Sequence, residues 1–298
     1  MTPESILSYT PKVLAQNERE SYFENGYVFL NNIINKSVLE ELFDTINEAI
    51  DESSNLKVSN EKFDLEPDHT KTKPRLRRLT QPVAHYPLFW EFTCNSIITD
   101  IAEDLLGPNI MFHHSKLNFK WFSGGEEVKW HQDMPFWPHT NDSVLTIGIY
   151  LENVDNKMGP LGVIPKSHTG PIFDHYNADG QWVGYISEQE KKQLDLKNAF
   201  YSIGNAGSIT VHHCRTVHGS KPNTHPHQSR PLLLNTFSSA DTLPITNNPT
   251  PSRYDRKIIR GTPSQFVHME PYQGKLPPDW SKGYTSIFSL QQKEHISQ

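Results

Sequence analysis

A histidine and an aspartate lie two residues apart in the segment Trp130-His131-Gln132-Asp133. In an extended chain, alternate side chains point to the same face, so His131 and Asp133 are able to approach one common point. An imidazole and a carboxylate placed in this way suit a divalent metal ion, and a second imidazole would complete the facial triad of non-haem iron enzymes. The segment therefore predicts two of the three ligands of a metal site.

Three later histidines, His212, His213 and His218, are candidates for the third ligand. If the apolar run that ends at His212 is a strand, His212 and His213 face opposite sides, and at most one of them is able to bind the metal directly. His218 precedes a Gly-Ser turn and follows His131 by 87 residues (218 − 131), which is enough chain for strands to fold back. We therefore expect His218 to complete the triad, with ordinary packing as the alternative for the other two histidines.

Arg230 follows His218 by 12 residues (230 − 218) and leads into the apolar run Leu232-Leu233-Leu234. A guanidinium beside an apolar strand is costly unless it meets an anion, and its planar fork matches a carboxylate. Arg230 is therefore a candidate anchor for an acidic cosubstrate, and an internal salt bridge is the alternative.

The elements that must position these residues change character near Asn109. Before it, Ser37 and Glu40 have capping-box spacing at the start of an amphipathic pattern, and a second helix is predicted over about residues 88–106. After it, short apolar or alternating runs separated by turns predict strands. The chain is thus expected to be α+β and mainly β, with N-terminal helices supporting a sandwich or barrel. The predicted strands cover residues 110–119, 144–151, 162–165, 208–212 and 232–236.

Composition excludes several classes of protein. The 298 residues carry a formal charge of −6 with no basic tract, which argues against nucleic acid as a partner. The longest apolar run, Val144 to Leu151, is far shorter than the roughly 20 residues of a membrane span, so no membrane partner is expected. A polar N-terminal segment and only two cysteines indicate a cytoplasmic protein. No linker divides the chain, so residues 1–298 are predicted to form a single domain.

The order and spacing of several motifs resemble the phytanoyl-CoA dioxygenase family, whose members are Fe(II)- and 2-oxoglutarate-dependent oxygenases. The resemblance covers a core of about residues 22–241 and leaves 242–298 as a C-terminal extension. It implies a double-stranded β-helix, also called a jelly roll, with a cupin-like metal site at its open end. The motifs that carry it are Gly107-Pro108-Asn109-Ile110-Met111, His131-Gln132-Asp133, Gly159 to His168, His218 to Asn223 and Arg230.

The resemblance also implies roles for individual residues. His131, Asp133 and His218 match the iron ligands, and Arg230 matches the anchor of the 2-oxoglutarate carboxylate. The implied cofactors are Fe(II), 2-oxoglutarate as cosubstrate and O2. Further candidate contacts to the cosubstrate are Lys116, Thr146 and Arg78. Two aromatic residues that flank the predicted site, Phe136 and Trp137, are candidates for a lid or an apolar wall around the substrate.

The expected reaction is oxidation, most simply hydroxylation, of a C–H bond in a small-molecule metabolite, with release of succinate and CO2, by a monomer or homodimer. Two alternatives stay open. The first is a non-oxidative cupin-like isomerase or hydrolase that uses Zn or Mn, and it explains no role for Arg230 or Lys116. A non-catalytic relative that only binds a metal or ligand predicts that at least one metal ligand is missing, and the sequence has all three.

Overall fold

The computed structural model describes residues 1–122, 125–283 and 286–296, and β-structure dominates it. The strands are β1 Tyr27–Leu30, β2 Phe63–Leu65, β3 Leu76–Thr80, β4 Ile110–Lys120, β5 Val128–His131, β6 Val144–Tyr150, β7 Leu161–Val163, β8 Phe200–Tyr201, β9 Ile209–His213, β10 His218–Ser220, β11 Arg230–Ser239 and β12 Ile258–Arg260. The α-helices are α1 Pro3–Leu7, α2 Gln16–Asn25, α3 Lys36–Ser53, α4 Pro82–His85, α5 Pro87–Asn95, α6 Ile97–Leu106, α7 Glu188–Lys191 and α8 Ile287–Ile296.

Two antiparallel sheets form the two halves of the double-stranded β-helix. The larger sheet has the order β1-β9-β6-β11-β4-β3-β2, with β12 pairing on β4. The smaller sheet has the order β5-β10-β7-β8. Most neighbours in both sheets are distant in sequence, and the pairing of Tyr27 in β1 with His212 in β9 joins residues that are 185 positions apart (212 − 27). The five predicted strands are confirmed as β4, β6, β7, β9 and β11.

Alternating side chains divide the larger sheet into two faces. On β6 and β11, Ile147, Ile149 and Leu233 point outward and join the main hydrophobic core, while Tyr150 and Leu232 belong to a separate cluster on the inner face. The outward side chains pack against helices α3 and α6, which cover that face. The inner face of the larger sheet is therefore able to form the wall of a binding site.

The N-terminal helices confirm the predicted supporting layer but differ in their boundaries. Helix α3 begins at Lys36 after the N-cap Asn35, so the predicted capping box of Ser37 and Glu40 is wrong. The single helix predicted over 88–106 is two helices, because Ser96 has an extended conformation and its hydroxyl accepts a hydrogen bond from the Ile98 N–H of α6. A serine that caps one helix ends the preceding one, which is the physical reason for the break.

The C-terminal extension packs against the core near β5. Ile287 and Phe288 belong to one apolar cluster with Met134, Phe136 and Trp137, which follow β5. Residues 284–285 and 297–298 of the predicted extension lie outside the described residues. Among the helices that the structure describes, none has the length and apolar character that crossing a membrane requires.

Replacing Leu42 with Ala tests the contact between α3 and the sheet. Leu42 is fully buried in the main core, so Leu42→Ala is expected to lower the free energy of unfolding by about 2–5 kcal/mol through lost burial and a residual cavity. Urea unfolding measures the change. The adjacent exposed position provides the control, and Glu41→Ala is expected to change stability by less than about 0.5 kcal/mol. Equal losses in both variants would contradict the assignment of the buried face.

Candidate metal centre

The pairing of β5 with β10 brings His131 and His218 together. His131 ends β5, His218 begins β10, and the two are direct partners in the antiparallel register, with ring centroids 4.1 Å apart. Gly219 makes this close pairing possible, because a Cβ atom at that position would lie 2.8 Å from the carbonyl oxygen of Val128. The sequence predicted a turn after His218, whereas the structure has a short strand, and it is this strand that places His218 beside His131.

Asp133 is fixed by the backbone beyond β5. The N–H groups of Asp133 and Met134 both donate to the carbonyl oxygen of Cys214, at 3.0 and 2.9 Å. The carboxylate then lies beside His218, with 3.8 Å between Asp133 Oδ1 and His218 Nε2, and its other oxygen, Oδ2, accepts a hydrogen bond of 3.2 Å from Thr146 Oγ1. The candidate donor atoms of Asp133, His131 and His218 all lie within 4.8 Å of one another, and the three residues are buried.

Backbone carbonyl groups set the tautomer of both imidazoles. His131 Nδ1 lies 2.8 Å from the carbonyl oxygen of Lys129, and His218 Nδ1 lies 2.9 Å from that of Thr216. A carbonyl oxygen only accepts hydrogen bonds, so Nδ1 carries the proton in each ring. The lone pair of Nε2 is then free to bind a metal, and the ring orientation is held by the same contact.

Burial and charge set the protonation states that a metal requires. Burial lowers the pKa of His131 to about 4 and holds the pKa of His218 well below its ordinary value. Burial by itself would raise the pKa of Asp133, but the neighbouring His218, Lys116 and His212 outweigh it and hold that pKa well below its usual range. Two neutral imidazoles and one carboxylate are the forms that bind a divalent ion.

This donor set fits iron. Two imidazoles and one carboxylate that leave part of the coordination sphere open are typical of non-haem Fe(II) sites. Within residues 1–122, 125–283 and 286–296, His131, Asp133 and His218 are the only group of three such side chains close enough to hold a metal ion. The structure thus brings together the three residues predicted as ligands.

A cavity opens from the three residues and has Arg230 on its wall. Arg230 is 3% exposed, and its Nε and Nη1 atoms have no hydrogen-bond partner among the residues that the structure describes. Burial lowers the pKa of this guanidinium, although not enough to remove its charge at neutral pH. Along β11, Leu232 and Leu234 also line the cavity and separate Arg230 from Thr236, whose hydroxyl lies 2.9 Å from that of Thr146.

The other predicted site residues all line this cavity. Lys116 and Arg78 lie on the neighbouring strands β4 and β3, and Arg78 Nε donates to Asn118 Oδ1 at 2.9 Å. Thr146 lies next to the triad, where its hydroxyl holds the Asp133 carboxylate. Phe136 and Trp137 form an aromatic wall, and the ring of Phe136 lies edge-on to that of His131 with centroids 5.8 Å apart.

Sequence reasoning missed the position of His212. His212 is 2% exposed, lies opposite Thr146 in the register of β6 and β9, and has Nε2 at 3.4 Å from Asp133 Oδ2. Its neighbour His213 instead approaches Asp142. The alternation of strand side chains predicted that these two histidines face opposite sides, but it did not identify which one faces inward. His114 and Asn118 on β4 are further lining residues that were not predicted.

Comparison with known proteins identifies the family. The phytanoyl-CoA dioxygenase family model matches residues 22–231. A probable alpha-ketoglutarate-dependent hypophosphite dioxygenase of Stutzerimonas stutzeri is 31% identical over 94% of this chain and 97% of that protein. The ectoine dioxygenase of Sphingopyxis alaskensis is 27% identical over 72% of each chain. The L-proline trans-4-hydroxylase of Streptomyces griseoviridis is 29% identical over 51% of this chain and 61% of that protein.

This chain belongs to the phytanoyl-CoA dioxygenase family, and it is an oxidoreductase of the dioxygenase class. Both the family and the enzyme class predicted from the sequence are confirmed. The fold is confirmed as well: the structure of EctD from S. alaskensis with 2-oxoglutarate and 5-hydroxyectoine has a TM-score of 0.67 at 20% identity, covering 91% of this chain and 92% of that one. The same relative has been solved with bound Fe, so the predicted cofactors are those of the family.

Removing the carboxylate of the triad tests the metal centre. Asp133→Ala is expected to weaken Fe(II) binding by more than about 100-fold, because changes in residues that merely support metal ligands already cost about 10–100-fold. Anaerobic titration calorimetry with Fe(II) measures the affinity, and circular dichroism verifies that the fold is retained. The exposed carboxylate of Asp179 provides the control, since Asp179→Ala removes the same charge far from the cavity. Unchanged Fe(II) affinity in Asp133→Ala would remove Asp133 from the ligand set.

Proposed function

We propose that the protein is an Fe(II)- and 2-oxoglutarate-dependent dioxygenase that binds iron through His131, Asp133 and His218 and hydroxylates a small-molecule substrate, with release of succinate and CO2. In line with the sequence prediction, the bond oxidised is a C–H bond. The observation that carries this proposal is a buried, unpaired Arg230 on the wall of the cavity that also holds the triad. This combination matches a cosubstrate that binds a metal at one end and carries a carboxylate at the other.

Arg230 has an energetic reason to bind an anion. Buried donors without an acceptor cost about 1–3 kcal/mol each, and Arg230 has two such atoms, Nε and Nη1. A carboxylate accepts from both in the bidentate geometry that a guanidinium prefers. The side chains of Leu232 and Leu234, between the triad and Arg230, suit the methylene carbons of 2-oxoglutarate. Lys116, Thr146 and Arg78 are further candidates to contact the cosubstrate.

The residues of the chain prepare the site before any chemistry occurs. Iron, 2-oxoglutarate and O2 supply the oxidising chemistry when they are bound. The carbonyl groups of Lys129 and Thr216 orient the two imidazoles, and Thr146 holds the outer oxygen of Asp133. The aromatic wall of Phe136 and Trp137 limits the access of water to the cavity.

The two alternatives account for less of the site. A non-oxidative metalloenzyme that uses Zn or Mn provides no partner for the unpaired donors of Arg230. A non-catalytic relative predicts a missing ligand, but the triad is complete. Succinate formation separates the dioxygenase from both alternatives. With Fe(II), 2-oxoglutarate and O2, the dioxygenase releases succinate even when turnover is uncoupled from substrate. Iron-reconstituted protein that releases no succinate would favour the alternatives.

We propose that residues 1–298 form one domain that works in the cytoplasm as a monomer or homodimer. Cys94 and Cys214 are both free thiols, which suits a reducing compartment. The small-molecule substrates named for the ectoine, proline and hypophosphite relatives support a small-molecule substrate here.

Neutralising the guanidinium tests the binding of the cosubstrate. Arg230→Met is expected to weaken 2-oxoglutarate binding by about 30-fold or more, because losing one partner of a buried charge pair costs about 2 kcal/mol or more. Fe(II) affinity is expected to stay the same, since Arg230 is not a ligand. Titration of 2-oxoglutarate into protein loaded with Mn(II), and succinate release as a function of 2-oxoglutarate, provide the two measurements.

The exposed Arg253 provides a matched control for this substitution. Arg253→Met removes the same charge outside the cavity, so its 2-oxoglutarate dependence is expected to match the wild type. If Arg230→Met also shows the wild-type dependence, the assigned carboxylate anchor is wrong.

A further inference from the structure

The cavity carries an excess of positive charge. Three cationic side chains line it, Arg78, Lys116 and Arg230, and the one carboxylate among the described lining residues is Asp133. Lys120 lies behind the wall, opposite Arg230 in the strand register, and donates to Ser220 Oγ at 2.7 Å; burial and the neighbouring Arg230 hold the pKa of this lysine well below its ordinary value. Charges of one sign at this density in a partly dehydrated cavity repel one another unless anions bind there.

Loading the site with its cofactors does not remove this excess. The charge of Fe(II) and the two carboxylates of 2-oxoglutarate cancel. Three cations and one carboxylate then remain on the wall, so the loaded cavity has two positive charges in excess. This result does not depend on which of the three cations contacts the cosubstrate.

Arg78 and Lys116 are the cations that lack a carboxylate partner and lie apart from Arg230. Lys116 is half-buried and makes no hydrogen bond or ion pair with any described residue, and no described carboxylate pairs with Arg78. Arg78 is 3% exposed, and within the described part of the chain its side chain makes one hydrogen bond, to the neutral Asn118. A buried charge is costly unless it is paired. These two side chains, on β3 and β4, therefore offer a second anion-binding position, in addition to Arg230 on β11.

His212 adds unpaired hydrogen-bonding capacity beside the triad. Nδ1 of the buried His212 has no hydrogen-bond partner among the described residues, Nε2 lies 3.4 Å from Asp133 Oδ2, and the ring lines the same cavity. Its ring lies 4.3 Å from that of His218, measured between centroids. An oxygen atom of a ligand near the metal would provide the missing partner.

We propose that the substrate is a small oxyanion without a positively charged group, and that Arg78 and Lys116 bind it beside the metal triad. This inference rests on the proposed dioxygenase function and specifies its substrate class; it assigns Arg78 and Lys116 to the substrate, in place of the cosubstrate contact for which they were candidates. The occupant is either an oxyanion of phosphorus or a small carboxylate, since both offer the same charged oxygen atoms.

The charge of the cavity distinguishes among the substrates named for the relatives. Proline carries a secondary ammonium group and ectoine carries an amidinium group, so each would add a positive charge to a cavity that already has positive charge in excess. The carboxylate that the described lining offers, Asp133, is committed to the metal in the proposed function. Hypophosphite has one negative charge and no cationic group, and it therefore fits the charge of this cavity.

The reaction balances for either kind of oxyanion. With hypophosphite, a P–H bond takes the place of the C–H bond in the proposed function: the P–H bond breaks and a P–OH bond forms, so phosphorus loses two electrons and phosphite is the product. The other two electrons needed to reduce O2 come from 2-oxoglutarate, which loses CO2 and becomes succinate. With a small carboxylate, a C–H bond becomes a C–OH bond with the same electron count. One oxygen atom enters each product.

Calorimetry on the metal-loaded protein tests this inference without turnover. Full-length protein is loaded with Mn(II) and saturating 2-oxoglutarate, and then titrated with hypophosphite, propionate or L-proline. Binding of 2-oxoglutarate is measured first. If 2-oxoglutarate fails to bind, the proposed function fails and this inference falls with it. If 2-oxoglutarate binds but neither anion does, the inference alone is overturned.

Matched substitutions assign the anion to its side chains. Lys116→Met and Arg78→Met are each expected to weaken binding of the anion by about 30-fold, or about 2 kcal/mol, relative to the wild type. Lys116→Met keeps the length of the side chain and breaks no hydrogen bond, so it is expected to fold even if Arg78→Met does not. The exposed Lys36 on α3 provides the control, and Lys36→Met is expected to bind the anion like the wild type.

The relative affinities for hypophosphite, propionate and L-proline decide the class of substrate. Tighter binding of hypophosphite, followed by phosphite in the 31P NMR spectrum of the iron-loaded reaction, identifies the phosphorus source, whereas tighter binding of propionate identifies a carboxylate. Binding of L-proline as tight as that of both anions would overturn the inference. So would an anion affinity that stays at the wild-type value in the folded variants.

Discussion

The pairing of two short strands is the constraint on which the site depends. β5 and β10 have four and three residues, and their register puts His131 directly opposite His218. A slip of one residue would turn one imidazole to the other face of the sheet, because side chains alternate along a strand. The lack of a side chain at Gly219 allows this register, and the carbonyl groups of Lys129 and Thr216 then fix each ring. The strand pairing sets the distance between the rings of His131 and His218, and the carbonyl groups set which nitrogen of each ring carries the proton.

The second constraint is electrostatic. The inner face of the larger sheet carries Arg78, Lys116 and Arg230 into a cavity in which Asp133 is the described carboxylate. Such a surface is unfavourable in the empty protein, and bound anions offset that cost. In the proposed function this arrangement binds the cosubstrate, and we infer that it also selects the charge of the substrate through residues on three adjacent strands, β3, β4 and β11.

Local patterns in the sequence predicted much of this arrangement. His131 and Asp133 lie two residues apart, so strand geometry alone indicated a shared direction, and the alternating runs located β4, β6, β9 and β11. The predictions failed where a single side chain decides the boundary, as Ser96 does between α5 and α6. They also missed strand β10, because a strand of three residues is too short to leave a periodic signal.

Contacts between distant strands explain what the sequence did not reveal. Arg78 and Asn118 are neighbours because β3 pairs with β4, and His212 meets Asp133 because β9 lies beside β6. Neither pairing follows from the residues themselves, since each depends on the order of strands in the sheet. The inward direction of His212 was thus one of two equal possibilities until the register of β6 and β9 decided it.

X-ray absorption of the Fe(II)-loaded protein tests the central claim most directly, because it counts the imidazoles bound to iron. Two imidazoles are expected to bind iron in the wild type, and one in His218→Ala. In His212→Ala both imidazole ligands are expected to remain. Three imidazoles in the wild type, or loss of one in His212→Ala but not in His218→Ala, would contradict the triad of His131, Asp133 and His218.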